Sequence, residues 1–349
     1  FKERFISTYN DWCHTNGVKS RIQAYGTSYH ILEASMEIDI PECETWLGNH
    51  NGLKDHFGFT SVNKFVASAA KLAGKKLVSC EELTNISEVF FASLESLKLI
   101  GDQSNLSGVN HSVFHGYNYS PESAPFPGWV RWGSYFNERN TWWPFFRLFT
   151  DYKARLSSVF QNAEAKADIA VMHPLADKWS KYGQQFQPAF GWGERYPWYE
   201  YDLWNAIHQN GNTCDYISEK IIVDAEKSNG FLIYNKCSYS TIILMEVESI
   251  APKTAEALAI FSKRGGKIVF IKTAPHKCPG LNNYKEKDLI VSETIKRIRA
   301  EYPEKCKVVP APEKNLLEWF KGIQNEFNIN ATVKISEPDG YVIQVRFAN

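Results

Sequence analysis

Over the first 165 residues the apolar positions fall in short runs, separated by stretches whose apolar spacing is helical. Residues 1–16 read as a helix. Residues 19–26 (KSRIQAYG) are strand-like, 28–36 helical, and 38–45 (IDIPECET), with a proline and three acids, a loop. Residues 62–74 have helical spacing and end on glycine, a common stop. Residues 76–80 (KLVSC) form a short apolar strand that runs into Glu81-Glu82. A further helical stretch leads to 108–115 (GVNHSVFH), again strand-like with polar residues at its end. Strand, polar end, helix, strand is the βα unit of a parallel sheet. The carboxyl ends of such strands are where a (β/α)8 barrel keeps its chemistry. About three units are legible, which predicts an α/β protein whose residues 1–165 are the C-terminal part of a (β/α)8 barrel. Strands near 19–25, 76–80 and 109–115 should then lie parallel and adjacent in that order, with one open edge.

From residue 168 the alternation continues. Strands are expected at 169–173, 216–217, 241–247, 267–271 and 307–309, and helices at 199–209, 254–263, 291–300 and 313–327. This predicts a flavodoxin-like, doubly wound domain over 166–328. Residues 329–349 should give two strands opening a β-sandwich. The chain starts on Phe1 inside a helical pattern and ends on the alternating run 341–347, so both ends read as interior to a longer protein.

Charge narrows the function. Lys plus Arg and Asp plus Glu are 39 each, which argues against a nucleic-acid or anionic-membrane surface. No apolar run approaches the roughly 18 residues of a membrane span. The seven cysteines are odd in number and contain no CxxC pair, so neither a zinc ribbon nor a disulfide scaffold is indicated. Aromatic residues reach 14%, and eight of the eleven tryptophans fall between Trp129 and Trp204. Such a cluster is either core or a platform for flat, partly apolar ligands such as sugar rings.

The candidate chemistry is carboxylate chemistry. Two carboxyl groups meeting in one cleft from different strand ends are what glycoside hydrolysis requires; one protonates the leaving oxygen and the other activates water or attacks. Glu81 is delivered by an apolar strand, and Glu42 and Glu44 lie in the acidic loop. The plainer reading makes Glu82 a solvated loop charge and Glu42 a helix-start carboxylate. Asp39, Glu42 and Glu44, within six residues, offer hard oxygen ligands of the kind calcium takes; a solvated acidic turn is the alternative. With period two, His111 and His115 share one strand face, either toward a cleft, where an imidazole can bind sugar hydroxyls, or as satisfied core histidines. Gly265-Gly266 precedes a strand instead of following one, so it is no dinucleotide fingerprint. Cys237 lacks the flanking glycines of a nucleophile elbow. The second domain is therefore assigned no catalysis.

These residues also carry a resemblance. RIQAYG at 21–26, DIPECE at 39–44, FVASAA at 65–70 and VSCEELT at 78–84 are followed by Leu97-Lys98, Asp102, GVNH at 108–111, His115, Pro127-Gly128 and TWW at 141–143. The ordered series, across roughly residues 18–155, resembles the catalytic half of glycoside hydrolase family 106, and the following domain resembles the non-catalytic, glutamine-amidotransferase-like domain behind that barrel. The resemblance implies an inverting α-L-rhamnosidase with calcium in its active site, removing terminal α-L-rhamnose from a plant-type polysaccharide or glycoside, in the periplasm or outside the cell. It makes Glu81 the first choice for a catalytic carboxylate, as base, and Glu42 and Glu44 either catalytic or, with Asp39, calcium ligands. Gln23, His111, His115 and Trp142 become the substrate-binding set. Cys43, Cys80 and Glu82 depart from the family's pattern. Strand alternation makes Glu81 essential and Glu82 dispensable. The competing readings are a β-galactosidase-like glycosidase and a non-catalytic carbohydrate-binding protein.

Overall fold

The computed structural model describes residues 2–25, 30–47, 59–86, 89–129, 132–183, 197–200, 202–336 and 343–348. A π-helical turn, Lys2–Ile6, leads into α1 (Ser7–Thr15), and four βα units follow: β1 (Arg21–Gln23), α2 (Ile31–Glu37), β2 (Ile40–Trp46), α3 (Phe59–Leu72), β3 (Ser79–Thr84), α4 (Leu94–Ser107), β4 (His111–Phe114) and α5 (Phe146–Gln161). The four strands form one parallel sheet in chain order. The segment expected as an acidic loop is thus strand β2, lying between the strands expected to be neighbours. Pro41, near its start, suggested a loop, yet proline is tolerated at the beginning of a strand. The alternation decides the matter: Cys43 and Thr45 turn to the helices while Glu42 and Glu44 turn to the other face. Thr45 Oγ1 accepts from Asn63 Nδ2 of α3 at 3.0 Å and lies 3.0 Å from Ser104 Oγ of α4.

Helix α4 starts on a reciprocal capping pair, Ser93 with Ser96, and stops at Gly108, whose φ is +120°. A Cβ there would stand 2.4 Å from the Ala67 Cβ, so the crossing of α4 and α3 requires glycine.

Strand β5 (Ala163–Ala165) links to the second unit: β6 (Ile169–Met172), α6 (Leu175–Tyr182), α7 (Leu203–Gln209), β7 (Cys214–Ile217), α8 (Glu219–Asp224), a small antiparallel meander β8 (Glu226–Ser228), β9 (Phe231–Tyr234) and β10 (Cys237–Tyr239), then β11 (Thr241–Met245), α9 (Pro252–Lys263), β12 (Lys267–Ile271), α10 (Tyr284–Glu301), β13 (Cys306–Val309) and α11 (Leu316–Glu326). Its five-stranded parallel sheet runs β13-β12-β11-β6-β7. Counted from β6 this is the doubly wound order 2-1-3-4-5. Continuous apolar burial of Ile242–Met245 and Ile268–Ile271 is what a sheet covered on both faces demands. The meander, α6 and α8 had no sequence expectation. In the terminal segment one strand is found among the described residues, β14 (Arg346–Ala348), which pairs antiparallel with β5; residues 329–336 form no strand, contrary to the expectation of two, and residues 337–342 lie outside the described residues.

The two units share a core, since Leu32 of α2 and Ala69 and Leu72 of α3 belong to the apolar cluster of the second sheet. Their polar seam centres on Asp215 of β7, buried beside Lys71 (2.7 Å), Lys64 (3.4 Å) and the Tyr239 hydroxyl (3.0 Å). Burial pushes its carboxyl up, but Lys71 and then Lys64 outweigh that and bring it to about 2, below the ordinary 3.8. A depressed carboxyl contributes stability that is complete above its unfolded pKa and is lost as pH falls through the folded value. Acid titration of unfolding should therefore show a loss between about pH 4 and 2 that Asp215→Asn removes, the variant being weaker than wild type at neutral pH.

Candidate active site

The inner face of the first sheet is mainly polar, with the apolar Val113 beside Glu81. Arg21, Gln23, Glu42, Glu44, Ser79, Glu81, His111 and His115 alternate with residues buried against the helices, and the registers place Gln23 beside Glu42, Glu42 beside Ser79, Ser79 beside His111, and Glu44 beside Glu81. Two layers result.

In the deeper layer Glu42 is 6% exposed, ion-paired with Arg21 and hydrogen-bonded by Ser79 Oγ (2.6 Å) and Gln23 Nε2 (3.2 Å). A carboxylate so fully engaged is a scaffold for its neighbours. Ser79 has one proton and gives it to Glu42, so the Nδ1 of His111, 3.1 Å away, is the donor in that contact.

The outer layer, at the carboxyl ends of the strands, holds Glu81. Its Oε2 accepts from Gln23 Nε2 at 2.5 Å, its Oε1 lies 3.3 Å from His115 Nδ1, and its side chain is 31% exposed, which admits water and substrate. Glu44 is buried, held by the hydroxyls of Tyr25 (2.6 Å) and Thr84 (2.8 Å). Burial raises its pKa above the ordinary carboxyl value, and the hydrogen bonds from Tyr25 and Thr84 only partly offset this. One proton on Tyr25 faces two acceptors at 2.6 Å, Gln23 Oε1 and Glu44 Oε2. A protonated Glu44 donating to Tyr25, which donates to Gln23, satisfies both of these contacts. One oxygen of Glu44, one of Glu81 and one ring nitrogen of His115 lie within 4.8 Å of one another.

The structure thus brings together Gln23, Glu44, Glu81 and His115, with Glu42 and His111 one layer below. It separates two expected residues. Asp39 precedes β2 at the opposite end of the sheet, where its Oδ2 accepts from the Ser20 backbone N–H (2.9 Å) and faces His14 Nε2 (2.8 Å). Extended backbone rises about 3.3 Å per residue, so Asp39 and Glu44 cannot share one ion. Trp142 donates its indole N–H to the Ala92 carbonyl (2.8 Å) and packs on Phe136 and Phe146, so it is a member of an aromatic core and not a platform in the cleft.

Glu82 is the other correction. It is fully buried on the helix side of β3, where Lys153 Nζ of α5 meets its Oε1 at 2.9 Å and also donates to Gly101 O and Asn105 Oδ1. Alternation did place Glu81 and Glu82 on opposite faces, but the second face is core and not solvent. Tyr25 and Thr84 were missed as site residues: Tyr25 keeps the period-two spacing of Gln23, whereas Thr84 reaches the cleft because the irregularity at Leu83, whose φ is +70°, breaks the alternation of β3.

A family model described as alpha-L-rhamnosidase, glycoside hydrolase family 106, matches residues 1–331. The chain belongs to glycoside hydrolase family 106. A family 106 chain would share its fold with solved relatives, and it does. The structure of a rhamnosidase from Novosphingobium sp. PP1Y superimposes with a TM-score of 0.67 at 20% identity, covering 95% of this chain and 30% of that one. A catalytic mutant of a family 42 β-galactosidase from G. stearothermophilus gives 0.53 at 14% identity, covering 82% of this chain and 43% of that one. A curated protein named putative beta-glucuronidase, from Formosa agariphila, is 28% identical over 288 residues, 81% of this chain and 22% of that protein. The chain thus spans 22% of the length of that curated protein and 30% of the rhamnosidase. Among the described residues no helix is long and apolar enough to cross a membrane.

Proposed function

We propose that the four-stranded sheet is the C-terminal part of a (β/α)8 barrel, backed by an amidotransferase-like domain, and that the whole protein hydrolyses terminal α-L-rhamnosides with inversion. The observation that carries this reading is Glu81: an accessible carboxylate, held by Gln23 and His115, at the carboxyl end of a parallel sheet in a family 106 chain. In this role Glu81 takes a proton from the water that attacks the anomeric carbon. Gln23 fixes the carboxylate's orientation, and His115 lies close to its other oxygen. The partner is a separate matter. An inverting acid and base keep about 6.5–9.5 Å between their carboxyl groups to admit that water. Glu44 approaches Glu81 to within 4.8 Å, too near for this pairing. The acid that protonates the leaving oxygen is therefore assigned to the part of the protein outside the described residues.

Of the three acids expected to bind calcium, Glu44 alone lies in the outer layer of the cleft, with a carboxylate oxygen grouped with Glu81 and His115. The proposed ion would be held by Glu44, with further oxygens from substrate, water and residues beyond those described, since calcium takes six to eight. Bound there, it would draw the proton off Glu44 and orient sugar hydroxyls. Treatment of the full-length enzyme with a chelator should lower both activity and melting temperature, and calcium should restore them. Glu44→Gln should remove that response. An unaltered melting curve in chelator would count against the ion.

The substrate assignment has a direct test. Purified full-length enzyme should release the aryl group from an aryl α-L-rhamnoside and leave aryl β-glucuronide and β-galactoside untouched. The name of the curated relative motivates the glucuronide arm. The described inner face disfavours it, because Arg21 is its sole arginine or lysine and is already paired with Glu42, so a uronate carboxylate would meet Glu81 unscreened. Cleavage of the glucuronide alone would overturn the rhamnoside reading. A periplasmic or secreted location goes with this substrate, which is found outside the cell.

A further inference from the structure

A second cavity lies away from the carboxylate cleft, where the two units meet. Its floor is the carboxyl end of the second sheet: Met172 ends β6 and His173 follows it, Ile217 ends β7 and Ser218 follows it, and Val247 lies beyond β11. Helices α2 and α3 roof it through Ile31 and Phe65. The position is meaningful. In an open doubly wound sheet, ligands bind outside the carboxyl ends of the strands at the point where strand order reverses. That point is β6, whose neighbours β7 and β11 are reached in opposite directions.

The wall is mainly apolar and encloses about 140 Å³. A cavity of roughly that size with an aliphatic and aromatic lining accommodates one benzene ring. Four rings contribute: Phe65 stands edge-to-face with His173 at 5.6 Å, and Trp179 with His30 at 6.4 Å. Burial is the main cause that lowers the pKa of both imidazoles, so they are neutral walls.

Two donors point to a ligand. Ser218 is 3% exposed, its hydroxyl makes no cap to α8 although it occupies the capping position, and it has no hydrogen-bond partner among the described residues. The indole N–H of Trp179 is likewise buried and without a partner among those residues. Leaving such donors unmatched is unfavourable, and an acceptor in the cavity relieves that cost. The charged groups set the sign. Glu200 is already matched by Lys178 and His173, and Glu219 accepts from the Ala251 N–H and the Thr254 hydroxyl. Glu33 is also in the wall, and no lysine or arginine is among the described residues that line the cavity to receive an anion.

We propose that this cavity is a binding site for a neutral, single-ring aromatic molecule bearing an oxygen acceptor, bound by the Ser218 hydroxyl and the Trp179 indole. The site is independent of the hydrolytic reading. Its occupant would tie α2 and α3, which precede the strands carrying Glu44 and Glu81, to the second sheet.

Calorimetry and melting curves of the full-length enzyme with phenol test this directly. One equivalent of phenol should bind with a Kd of about 1 mM or tighter and raise the melting temperature, as any ligand selective for the folded state does. Benzoate, of the same ring size but anionic, should bind at least tenfold more weakly. Ser218→Ala should weaken phenol about 2–10-fold while its unliganded melting temperature stays near wild type. Val247→Phe should fill the space and abolish binding. No saturable phenol binding to wild type, benzoate binding as tightly as phenol, or unchanged affinity in both variants would each overturn the proposal.

Discussion

In the full-length enzyme, Glu81→Gln is expected to lower kcat on an aryl α-L-rhamnoside by about 10²–10⁴-fold, the usual contribution of a general base. KM should move much less. The amide keeps the size of the carboxylate and can still meet Gln23 and His115, but it cannot take a proton from water. Gln23→Ala should give a smaller loss of the same kind, because it releases Oε2 of Glu81 without removing the base. Azide offers a sharper check. A small anion in the space of a truncated Glu81→Ala side chain should restore part of the turnover if the residue's work is basic. Full activity in Glu81→Gln would remove Glu81 from the role and leave it as a binding residue beside Glu44.

The second large effect is on stability and belongs to Lys153. Its ammonium is 3% exposed and serves Glu82, Gly101 and Asn105 at once. Lys153→Ala leaves the Glu82 carboxylate buried without its counter-charge, so unfolding should become easier by about 3–5 kcal/mol. Glu82→Gln should destabilise in the same direction by stranding the ammonium. Replacing both, as Lys153→Met with Glu82→Leu, should recover most of the loss, since a well-packed apolar pair can match a buried ion pair. Chemical-denaturation midpoints of the three variants decide it. Lys153→Ala within about 0.5 kcal/mol of wild type would mean that water reaches the pair.

Both predictions turn on the same strand end, and it shows where sequence reasoning reached its limit. Alternation in β3 is local, so the opposite orientation of Glu81 and Glu82 was legible from residue order. What lies on each side is not local: Glu82 meets a lysine 71 residues away. The acidic segment at 39–45 is a similar case. Its proline and carboxylates resemble a surface loop when judged by propensity, yet in a sheet with a polar inner face they are one strand of the cleft, because neighbouring strands supply Gln23, Ser79 and Tyr25 as partners. The density of tryptophan gave no means of separating Trp142, packed into an aromatic core, from a ring free to face a sugar.

The sequence by itself determined the α/β class, the doubly wound second unit, the family and the opposite orientation of Glu81 and Glu82. Each rests on short-range information: apolar periodicity, glycine stops and ordered motifs. Only the tertiary structure decided which carboxylates share a layer. Glu44 and Glu81 sit 37 residues apart and become neighbours through the register of β2 on β3. Asp39, five residues from Glu44, is sent to the other end of the sheet because extended backbone carries it there. Register and long-range burial depend on the partner elements, which no single segment encodes, and they set whether a carboxylate is catalytic, scaffolding or buried against a lysine.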